Sequence, residues 1–279
     1  MKNIAYYNGK TSPIEEMMVP MNDRVCYFGD GVYEAVFTRR HHPFALDDHI
    51  DRFFRSCDLM RIPHPMEKAE LAALLLDMVS KVDAPEQVLY WQATRGTAMR
   101  AHAFPEEGRP NLWITAREGK LKDPKIPWNL LTVEDTRFFH CNIKTLNLIP
   151  NVMASQAAKE ADCQEAVFHR GEIVTEGAHS NISILKNGVF VTHPLDCGIL
   201  PGITRAHLIR LCHTLNIPVE ERTFTVQEMM DADEVIVSGS GTPCIRVAQI
   251  DHTPVGQKAK TLFYSLQAAY LEEFDQGTR

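Results

Sequence analysis

The spacing of apolar positions in the first part of the chain predicts a strand followed by two helices. Residues Val32 to Thr38 are rich in strand-forming side chains. A stripe of apolar residues at helical spacing comes next, formed by Ile50, Phe53, Phe54, Cys57 and Met60. Asp47 or Asp48 stands where the N-cap of this helix is expected. A second helix is predicted from about Glu67 to Lys81.

The pattern changes near residue 118. Two further strands, Gln87 to Thr94 and Asn111 to Ala116, precede a charged segment from Glu118 to Pro127. This segment contains Pro124 and Pro127 and has no periodic apolar pattern, which is typical of a linker between domains. The sequence therefore predicts an N-terminal α/β domain over residues 1–117, a linker over 118–127 and a C-terminal α/β domain over 128–279.

The second part again mixes strands and helices. Turn residues at Arg170-Gly171 and at Lys186-Asn187-Gly188 predict hairpins. The other predicted elements are a strand over Asn129 to Val133, a helix over Asn151 to Ala161, a helix from Thr204 to about Leu215, a strand over Glu234 to Ser238, and a C-terminal helix within Lys258 to Phe274.

Composition narrows the function classes. The formal net charge of −7 argues against nucleic acid or an anionic membrane surface as the main partner. Seven cysteines without a Cys-x-x-Cys pattern, and an N-terminus without an apolar signal segment, suggest reduced thiols in a cytoplasmic protein. No apolar run reaches membrane-spanning length. The 12 histidines show no metal-ligand spacing, so we expect no metal site.

Lys144 lies in a mostly uncharged segment, close to Ile143, Leu146 and Leu148. An ammonium among such neighbours must lose its charge, gain a partner or reach solvent. Burial lowers the pKa of a lysine, and a neutral amine can attack a carbonyl to form a Schiff base. The alternative is a lysine on a half-buried strand that extends its amine to water.

Two glycine-containing loops have features of anion sites. Gly202-Ile203-Thr204 opens a predicted helix with Thr204 as its N-cap, and a helix N-terminus presents unpaired N–H groups. The loop Gly239-Ser240-Gly241-Thr242 adds hydroxyl donors. Taken alone, each loop is better explained as an ordinary capped helix or an ordinary turn, because glycine before a helix is common. Neither matches a Walker P-loop or a dinucleotide fingerprint.

Three further polar residues are candidates for binding or catalysis. Glu176 follows the strand-like residues Ile173 to Thr175, where a carboxylate can be held rigidly, although a solvated glutamate would fit the same pattern. Arg100 and His102 lie two residues apart in a polar loop. An arginine fork matches a carboxylate through two hydrogen bonds, and a nearby histidine adds a donor. The alternative for this pair is a loop in water.

Taken together, these motifs resemble the fold-type IV pyridoxal-phosphate enzymes, and most closely the bacterial D-amino acid aminotransferases. The resemblance covers nearly the whole chain, from Tyr7-Asn8-Gly9 to the last helix. It implies a two-domain α/β architecture of the fold-type IV aminotransferase kind, with pyridoxal 5'-phosphate as the cofactor. No single motif is sufficient, but the combination is specific.

The resemblance also implies roles for individual residues. Lys144 is expected to hold the cofactor as a Schiff base, and Glu176 to keep the pyridine nitrogen protonated. Leu200 is expected beneath the pyridine ring. The remaining expected cofactor contacts are Arg52, Ser180, Ile203, Thr204 and Ser240. Tyr33, Arg100 and His102 are expected to bind the substrate α-carboxylate. The loop that carries Arg100 and His102 is expected to come from the partner subunit.

Two positions do not fit the pattern simply. Periodicity puts Arg52 on the solvent side of its helix, whereas the family motif His49-Ile50-Asp51-Arg52 puts it on the cofactor phosphate, and the prediction follows the family. The segment Ala178-His179-Ser180-Asn181 differs from the serine-rich run expected there. No role is assigned to His179.

The implied activity is transfer of the amino group of a D-amino acid, such as D-alanine or D-glutamate, to a 2-oxo acid. The implied assembly is a homodimer with its active site at the subunit interface. A branched-chain aminotransferase or an aminodeoxychorismate lyase of the same fold is the alternative, although the Arg-x-His pattern is not expected there. A non-catalytic pyridoxal-phosphate carrier or binding module is the alternative of a different class, and the joint presence of Lys144, Glu176 and Arg100 weighs against it.

Overall fold

The computed structural model describes residues 1–279, and its backbone contacts divide the chain into two compact units. The first unit comprises Met1–Leu121, Ile143–Asn147 and Asp275–Arg279, and the second comprises Lys122–Asn142 and Leu148–Phe274. The segment that carries Lys144 thus groups with the N-terminal unit, whereas the sequence-based division assigned it to the C-terminal domain.

The first unit is an antiparallel sheet with helices. Its helices are α1 (Arg24–Phe28), α2 (Leu46–Met60) and α3 (Lys68–Ser80), with a short 3₁₀ turn at Ile14–Glu16. Its strands are β1 (Asn3–Tyr7), β2 (Lys10–Ser12), β3 (Gly31–Arg39), β4 (His42–Pro43), β5 (Glu86–Thr94) and β6 (Asn111–Glu118). The strand order is β2-β1-β6-β5-β3-β4, and every neighbouring pair is antiparallel.

Helix α2 packs on this sheet through the predicted apolar stripe. Ile50, Phe53 and Cys57 are buried in one core cluster with residues of β3 and β5. The predicted cap is wrong, because the backbone turns into the helix earlier than either aspartate allows. Ala45, with a φ of 52°, is the N-cap residue, and Asp47 and Asp48 lie in the first turn. Their negative charges in this turn still interact favourably with the positive end of the helix dipole.

The second unit is built around a mixed nine-stranded sheet. Its strands are β7 (Trp128–Glu134), β8 (Glu165–Arg170), β9 (Ile173–Gly177), β10 (Asn181–Lys186), β11 (Val189–Thr192), β12 (Val219–Glu221), β13 (Glu234–Gly239), β14 (Thr242–Ile250) and β15 (Thr253–Pro254). Its helices are α4 (Ile149–Glu160), α5 (Ile203–Thr214) and α6 (Val226–Met230), and α7 (Lys260–Gly277) ends in the first unit.

The order of this sheet is β12-β11-β10-β13-β14-β7-β8-β9, with β15 paired to β14. Strand β7 is parallel to both of its neighbours, β14 and β8, while β9 returns antiparallel to β8 through the predicted turn at Arg170-Gly171. This hairpin and the one between β10 and β11 confirm the turn predictions. Only three residues separate the end of β9 from the start of β10, and Glu176 and Asn181 lie at these two strand ends.

No helix is long and apolar enough to cross a membrane. No group of three or more His, Cys, Asp and Glu side chains is arranged to hold a metal ion.

Candidate active site

In the first unit, Lys144 is attached to strand β3 by its backbone. The Tyr33 amide donates to the Lys144 carbonyl at 2.9 Å, and the Leu146 amide donates to the Gly31 carbonyl at 3.1 Å. The Lys144 amine lies 4.3 Å from the centre of the Tyr33 ring, a cation–π distance. Tyr33 in turn stacks on Tyr90, with ring centres 5.5 Å apart. The amine of this half-buried lysine therefore has a defined position against an aromatic face.

The next residue of β3, Glu34, lies on the opposite face of the strand and is fully buried. Its carboxylate accepts two hydrogen bonds from Arg52, from Nε at 2.8 Å and from Nη2 at 2.7 Å. His49 Nδ1 lies 3.1 Å from the same carboxylate. The solvent position that periodicity gave to Arg52 is wrong, because the helix turns this guanidinium towards a buried carboxylate, leaving Arg52 only 8% exposed.

This buried cluster sets the charges of its members. Burial opposes ionisation of Glu34, but Arg52 and His49 outweigh it and hold the pKa of Glu34 well below its usual value. Burial lowers the pKa of His49, and the charges of Arg52 and Lys144 lower it further, against the opposing effect of Glu34. Glu34 is thus an anion that fixes the guanidinium of Arg52 in a planar two-bond geometry.

Arg100 and His102 lie in the loop between β5 and β6 and are both exposed. They share one contact, the ring of Phe28. The Arg100 guanidinium carbon is 5.1 Å from its centre, and the His102 ring centre is 5.2 Å away. No hydrogen bond, ion pair or ring contact joins either residue to Tyr33 or Lys144 within the chain. The structure brings Arg100 and His102 together, but not with Tyr33.

In the second unit, Glu176 is a buried carboxylate with three donors around it. Arg137 Nη1 donates to its Oε1 at 2.6 Å, while Oε2 accepts from the Leu200 amide at 3.0 Å and from Asn181 Nδ2 at 3.1 Å. Only 5% of the residue is exposed. The predicted rigid carboxylate at the end of a strand is therefore present, held by neighbours that the sequence did not identify.

Arg137 is itself held by a second carboxylate, Asp135. Arg137 donates to Asp135 through Nε at 2.9 Å and Nη2 at 2.8 Å, and Asp135 also accepts from Arg170 and from the Thr175 hydroxyl. Burial alone would lower the pKa of Arg137, but Asp135 and Glu176 raise it. Burial would raise the pKa of Asp135, but the bonds from Arg137 and Arg170 lower it. The cluster is a buried row of alternating charges ending at Glu176.

The N-terminus of α5 lies beside this carboxylate, because the loop before it carries Leu200. Gly202 is the N-cap residue, with no side-chain cap, so the prediction of Thr204 as the N-cap is wrong. Thr204 is the second helical residue, and its hydroxyl lies 3.3 Å from the Tyr270 hydroxyl. A Cβ at Gly202 would come within 1.8 Å of Asn181 Oδ1, so any other residue there would force Asn181 to move. The uncapped first turn leaves amide donors available to an anion.

The remaining predicted cofactor contacts lie around the same region of the second unit. Ser180 is buried and donates to Glu165 at 2.7 Å. Ser240 is in the turn between β13 and β14, next to Gly239, and a Cβ at Gly239 would lie 3.8 Å from the Ser180 Cβ. His179, which had no assigned role, is 57% exposed at its side chain and has its Nδ1 2.7 Å from the buried Glu165 carboxylate.

Sequence reasoning missed the charged partners of the predicted residues. Asp135 and Arg137 directly follow the predicted strand ending at Val133, a position where paired charges are a recognisable signal. Glu34 stands within the apolar run Val32 to Thr38, and a lone carboxylate in such a run indicates a buried ion pair. Asn181 has no such signal, since its role depends on the turn between β9 and β10 that brings it to Glu176.

The donor set suits pyridoxal 5'-phosphate in its chemistry. An amine at a defined position suits an aldehyde, a buried carboxylate suits a pyridine nitrogen, and an uncapped helix N-terminus suits a phosphate. The family described as amino-transferase class IV matches residues 31–250 of the chain. The chain therefore belongs to the class IV aminotransferases, which use pyridoxal 5'-phosphate to transfer amino groups.

Its relatives narrow this class. The chain is 38% identical to the D-alanine aminotransferase of Staphylococcus aureus (strain MSSA476) over 253 residues, which is 90% of each protein. It is 35% identical to the D-alanine aminotransferase of Bacillus licheniformis over 276 residues, 96% of this chain and 97% of that protein. The sequence-based resemblance to D-amino acid aminotransferases is confirmed.

Solved structures agree on the fold. The branched-chain amino acid aminotransferase of Escherichia coli matches with a TM-score of 0.89 and 22% identity, over 100% of this chain and 96% of that one. The branched-chain aminotransferase of Thermoproteus uzoniensis, solved with norvaline, matches with a TM-score of 0.86 and 23% identity, over 98% and 96%. At such identities the likeness shows the fold alone. These structures confirm the predicted fold class. The predicted enzyme class and cofactor are confirmed by the match to the class IV aminotransferase family.

Proposed function

We propose that the chain is a pyridoxal-phosphate-dependent D-amino acid aminotransferase that transfers the amino group of D-alanine or D-glutamate to a 2-oxo acid. The observation that carries this proposal is the identity of 38%, over 90% of both proteins, to a D-alanine aminotransferase. The branched-chain aminotransferases of Escherichia coli and Thermoproteus uzoniensis share the fold at 22% and 23% identity, which does not carry the branched-chain alternative.

Lys144 is proposed as the residue that bonds the cofactor aldehyde and later moves the substrate proton. When bound, the cofactor supplies that aldehyde and a ring that withdraws electrons from the substrate Cα. The freed Lys144 amine would take the proton from Cα as a general base and then deliver it, as an acid, to the former aldehyde carbon of the cofactor. Tyr33, 4.3 Å from this amine, limits the directions in which the amine can move.

Glu176 is proposed as the partner of the pyridine nitrogen. Its carboxylate is buried and held by Arg137, Asn181 and the Leu200 amide, so it needs no rearrangement to act. Leu200 is proposed to pack beneath the ring. The residues proposed to hold the phosphate are Arg52, Ile203, Thr204 and Ser240, and Ser180 is proposed as a further cofactor contact.

Tyr33, Arg100 and His102 are proposed to bind the substrate α-carboxylate, with the loop of Arg100 and His102 contributed by the partner of a homodimer. Exposed apolar side chains support such an assembly. On α4, Ile149, Val152 and Met153 are 74%, 59% and 65% exposed at positions that share one helix face. Seven free cysteines support a cytoplasmic location for the enzyme.

The proposed activity is tested by supplying the holoenzyme with D-alanine and 2-oxoglutarate and measuring pyruvate. We expect rapid pyruvate formation from D-alanine and little turnover of L-leucine or L-valine. Faster turnover of L-leucine than of D-alanine would support the branched-chain alternative. Pyruvate release from aminodeoxychorismate without any amino acceptor would support the lyase.

A further inference from the structure

The buried side chain of Arg24 holds residues 101–103 of the loop between β5 and β6. Arg24 is 3% exposed, although it lies in the short helix α1 far from the loop in sequence. Its Nη1 donates to the carbonyl of Ala101 at 2.6 Å and to that of Ala103 at 3.2 Å, and its Nη2 donates to that of His102 at 3.4 Å. One guanidinium therefore binds three successive carbonyls at the point where His102 leaves the backbone.

Arg24 is fixed in turn by a buried carboxylate that serves two arginines. Its Nε donates to Asp30 at 2.7 Å, and Asp30 also accepts from Arg95 Nε at 2.9 Å. Arg95 donates onward to the carbonyls of Met60 and Arg61, both at 2.8 Å, at the C-terminal end of α2. The cluster Arg24–Asp30–Arg95, which we call the loop clamp, thus connects the loop to helix α1 and to the C-terminal end of helix α2.

The ring of Phe28 connects the loop clamp to the side chains that the loop presents. The Arg24 guanidinium lies 5.0 Å from the centre of this ring, and Arg100 lies 5.1 Å from it. The His102 ring lies 5.2 Å away. Arg100 and His102 are exposed, yet their backbone is tied to Arg24 and their side chains rest on one aromatic residue. An exposed polar loop without such ties would fluctuate.

We propose that Arg24 is a positioning residue that preorganises Arg100 and His102 for the substrate carboxylate. This inference rests on the proposed function, which makes those two residues the carboxylate site. Ordering the loop before binding removes an entropy cost that the substrate would otherwise meet. Arg24 itself is buried beneath the loop and need not touch the substrate.

The test uses the holoenzyme with Arg24→Lys and Arg24→Gln, and Arg55→Gln as the control. A lysine keeps a positive charge beside Asp30 but cannot bind the carboxylate and three carbonyls together. Arg55 is an exposed arginine of the same unit. The measurements are KM and kcat for D-alanine, the Kd of acetate from its effect on cofactor absorbance, the Kd of pyridoxal 5'-phosphate, and the rate of trypsin cleavage after Arg100.

We expect both Arg24 variants to raise KM for D-alanine and the Kd of acetate by roughly tenfold or more, a factor equivalent to about 1.4 kcal/mol. Cleavage after Arg100 should become faster. The Kd of pyridoxal 5'-phosphate should stay within about twofold, and kcat should change less than KM, since the loop clamp does not contain the cofactor residues. Arg55→Gln should behave like the unaltered enzyme in every measurement.

An unchanged cleavage rate together with an unchanged acetate Kd would overturn the inference. Arg100→Ala separates this outcome from a failure of the proposed function. If Arg100→Ala weakens acetate binding but the Arg24 variants do not, the loop clamp has no positioning role. If Arg100→Ala leaves acetate binding intact, the assigned carboxylate site is wrong and the inference falls with it. Should Arg24→Gln not fold, Arg24→Lys alone decides between these results.

Discussion

Arg137 and Glu176 are joined by a hydrogen-bonded ion pair of 2.6 Å in the interior of the second unit. Both side chains are 7% exposed, so little water screens the pair. Arg137 also binds Asp135, and its attachment to both carboxylates holds Glu176 in place. A carboxylate that is held in place in advance is suited to stabilise a proton on a partner nitrogen.

Removing Arg137 should therefore damage the fold as well as the site. Arg137→Met leaves two buried carboxylates without their main partner, and such a loss typically costs about 3–5 kcal/mol. Urea unfolding of the protein without cofactor measures this cost directly. Arg55→Met, at an exposed position, is the matched control and should change the unfolding free energy by less than about 0.5 kcal/mol. Similar unfolding free energies for the two variants would contradict the assigned role of Arg137.

Glu176→Gln should reduce catalysis while keeping the site assembled. The amide keeps the shape of the side chain but removes its charge, so a proton on the pyridine nitrogen loses its counter-charge. We expect kcat for D-alanine to fall by about 100-fold or more, the usual scale for losing one preorganised electrostatic partner. A turnover equal to that of the unaltered enzyme would exclude this role for Glu176.

The glycine at the start of α5 offers a paired test of the phosphate site. Gly202→Ala would push a methyl group to within 1.8 Å of Asn181 Oδ1. Because Asn181 bonds both Glu176 and the Leu200 carbonyl, the first change should disturb the helix N-terminus and the carboxylate together. We expect Gly202→Ala to weaken binding of pyridoxal 5'-phosphate by roughly tenfold or more.

Arg55→Gln, at an exposed position, is the control and should leave that affinity within about twofold. Equilibrium titration of the two proteins, followed by cofactor absorbance, gives both values. Equal affinities would mean that the tight approach of Gly202 to Asn181 has no part in cofactor binding.

Some features of the fold and the site could be predicted from the sequence and others could not, for a physical reason. The apolar stripe of α2 was predictable because burial follows a helical period, and Lys144 and Glu176 were found through the resemblance. Arg52 was misplaced by periodicity, which treats every arginine as a solvent residue and cannot detect a partner such as Glu34 on another element. The pair of Arg137 and Glu176 is separated by 39 residues, so only the folded sheet brings it together.

The position of Thr204 shows the same limit at a helix end. A threonine after glycine looks like an N-cap, but the cap is decided by the backbone angles at Gly202 (φ −67°, ψ 134°), which the residue type does not determine. The sequence-based division of the chain into two domains has the same limit, because it follows the order of residues along the chain. Lys144 follows the linker in sequence, yet its segment pairs with β3 and so groups with the first unit.

The pH dependence of stability should reveal the buried Glu34. Its pKa is lower in the folded state than in the unfolded state, because Arg52 and His49 outweigh the effect of burial. Such a carboxyl contributes its full stabilisation above its unfolded pKa of about 4.3 and loses it as the pH falls below that value. Between about pH 6 and pH 3, the unfolding free energy of the unaltered protein should fall more steeply than that of Glu34→Gln.

Glu107→Gln is the matched control, since Glu107 is exposed in the loop between β5 and β6. Its pH profile should parallel that of the unaltered protein. Parallel profiles for all three proteins would show that Glu34 does not titrate differently in the folded state.

Lys144 is proposed as the residue that bonds the cofactor, and borohydride reduction tests this assignment most directly. The holoenzyme is reduced, digested and analysed by peptide mass spectrometry to locate the phosphopyridoxyl group. We expect this group on Lys144, together with loss of multiple turnover in Lys144→Ala. A phosphopyridoxyl group on any other lysine, or full turnover in Lys144→Ala, would contradict it.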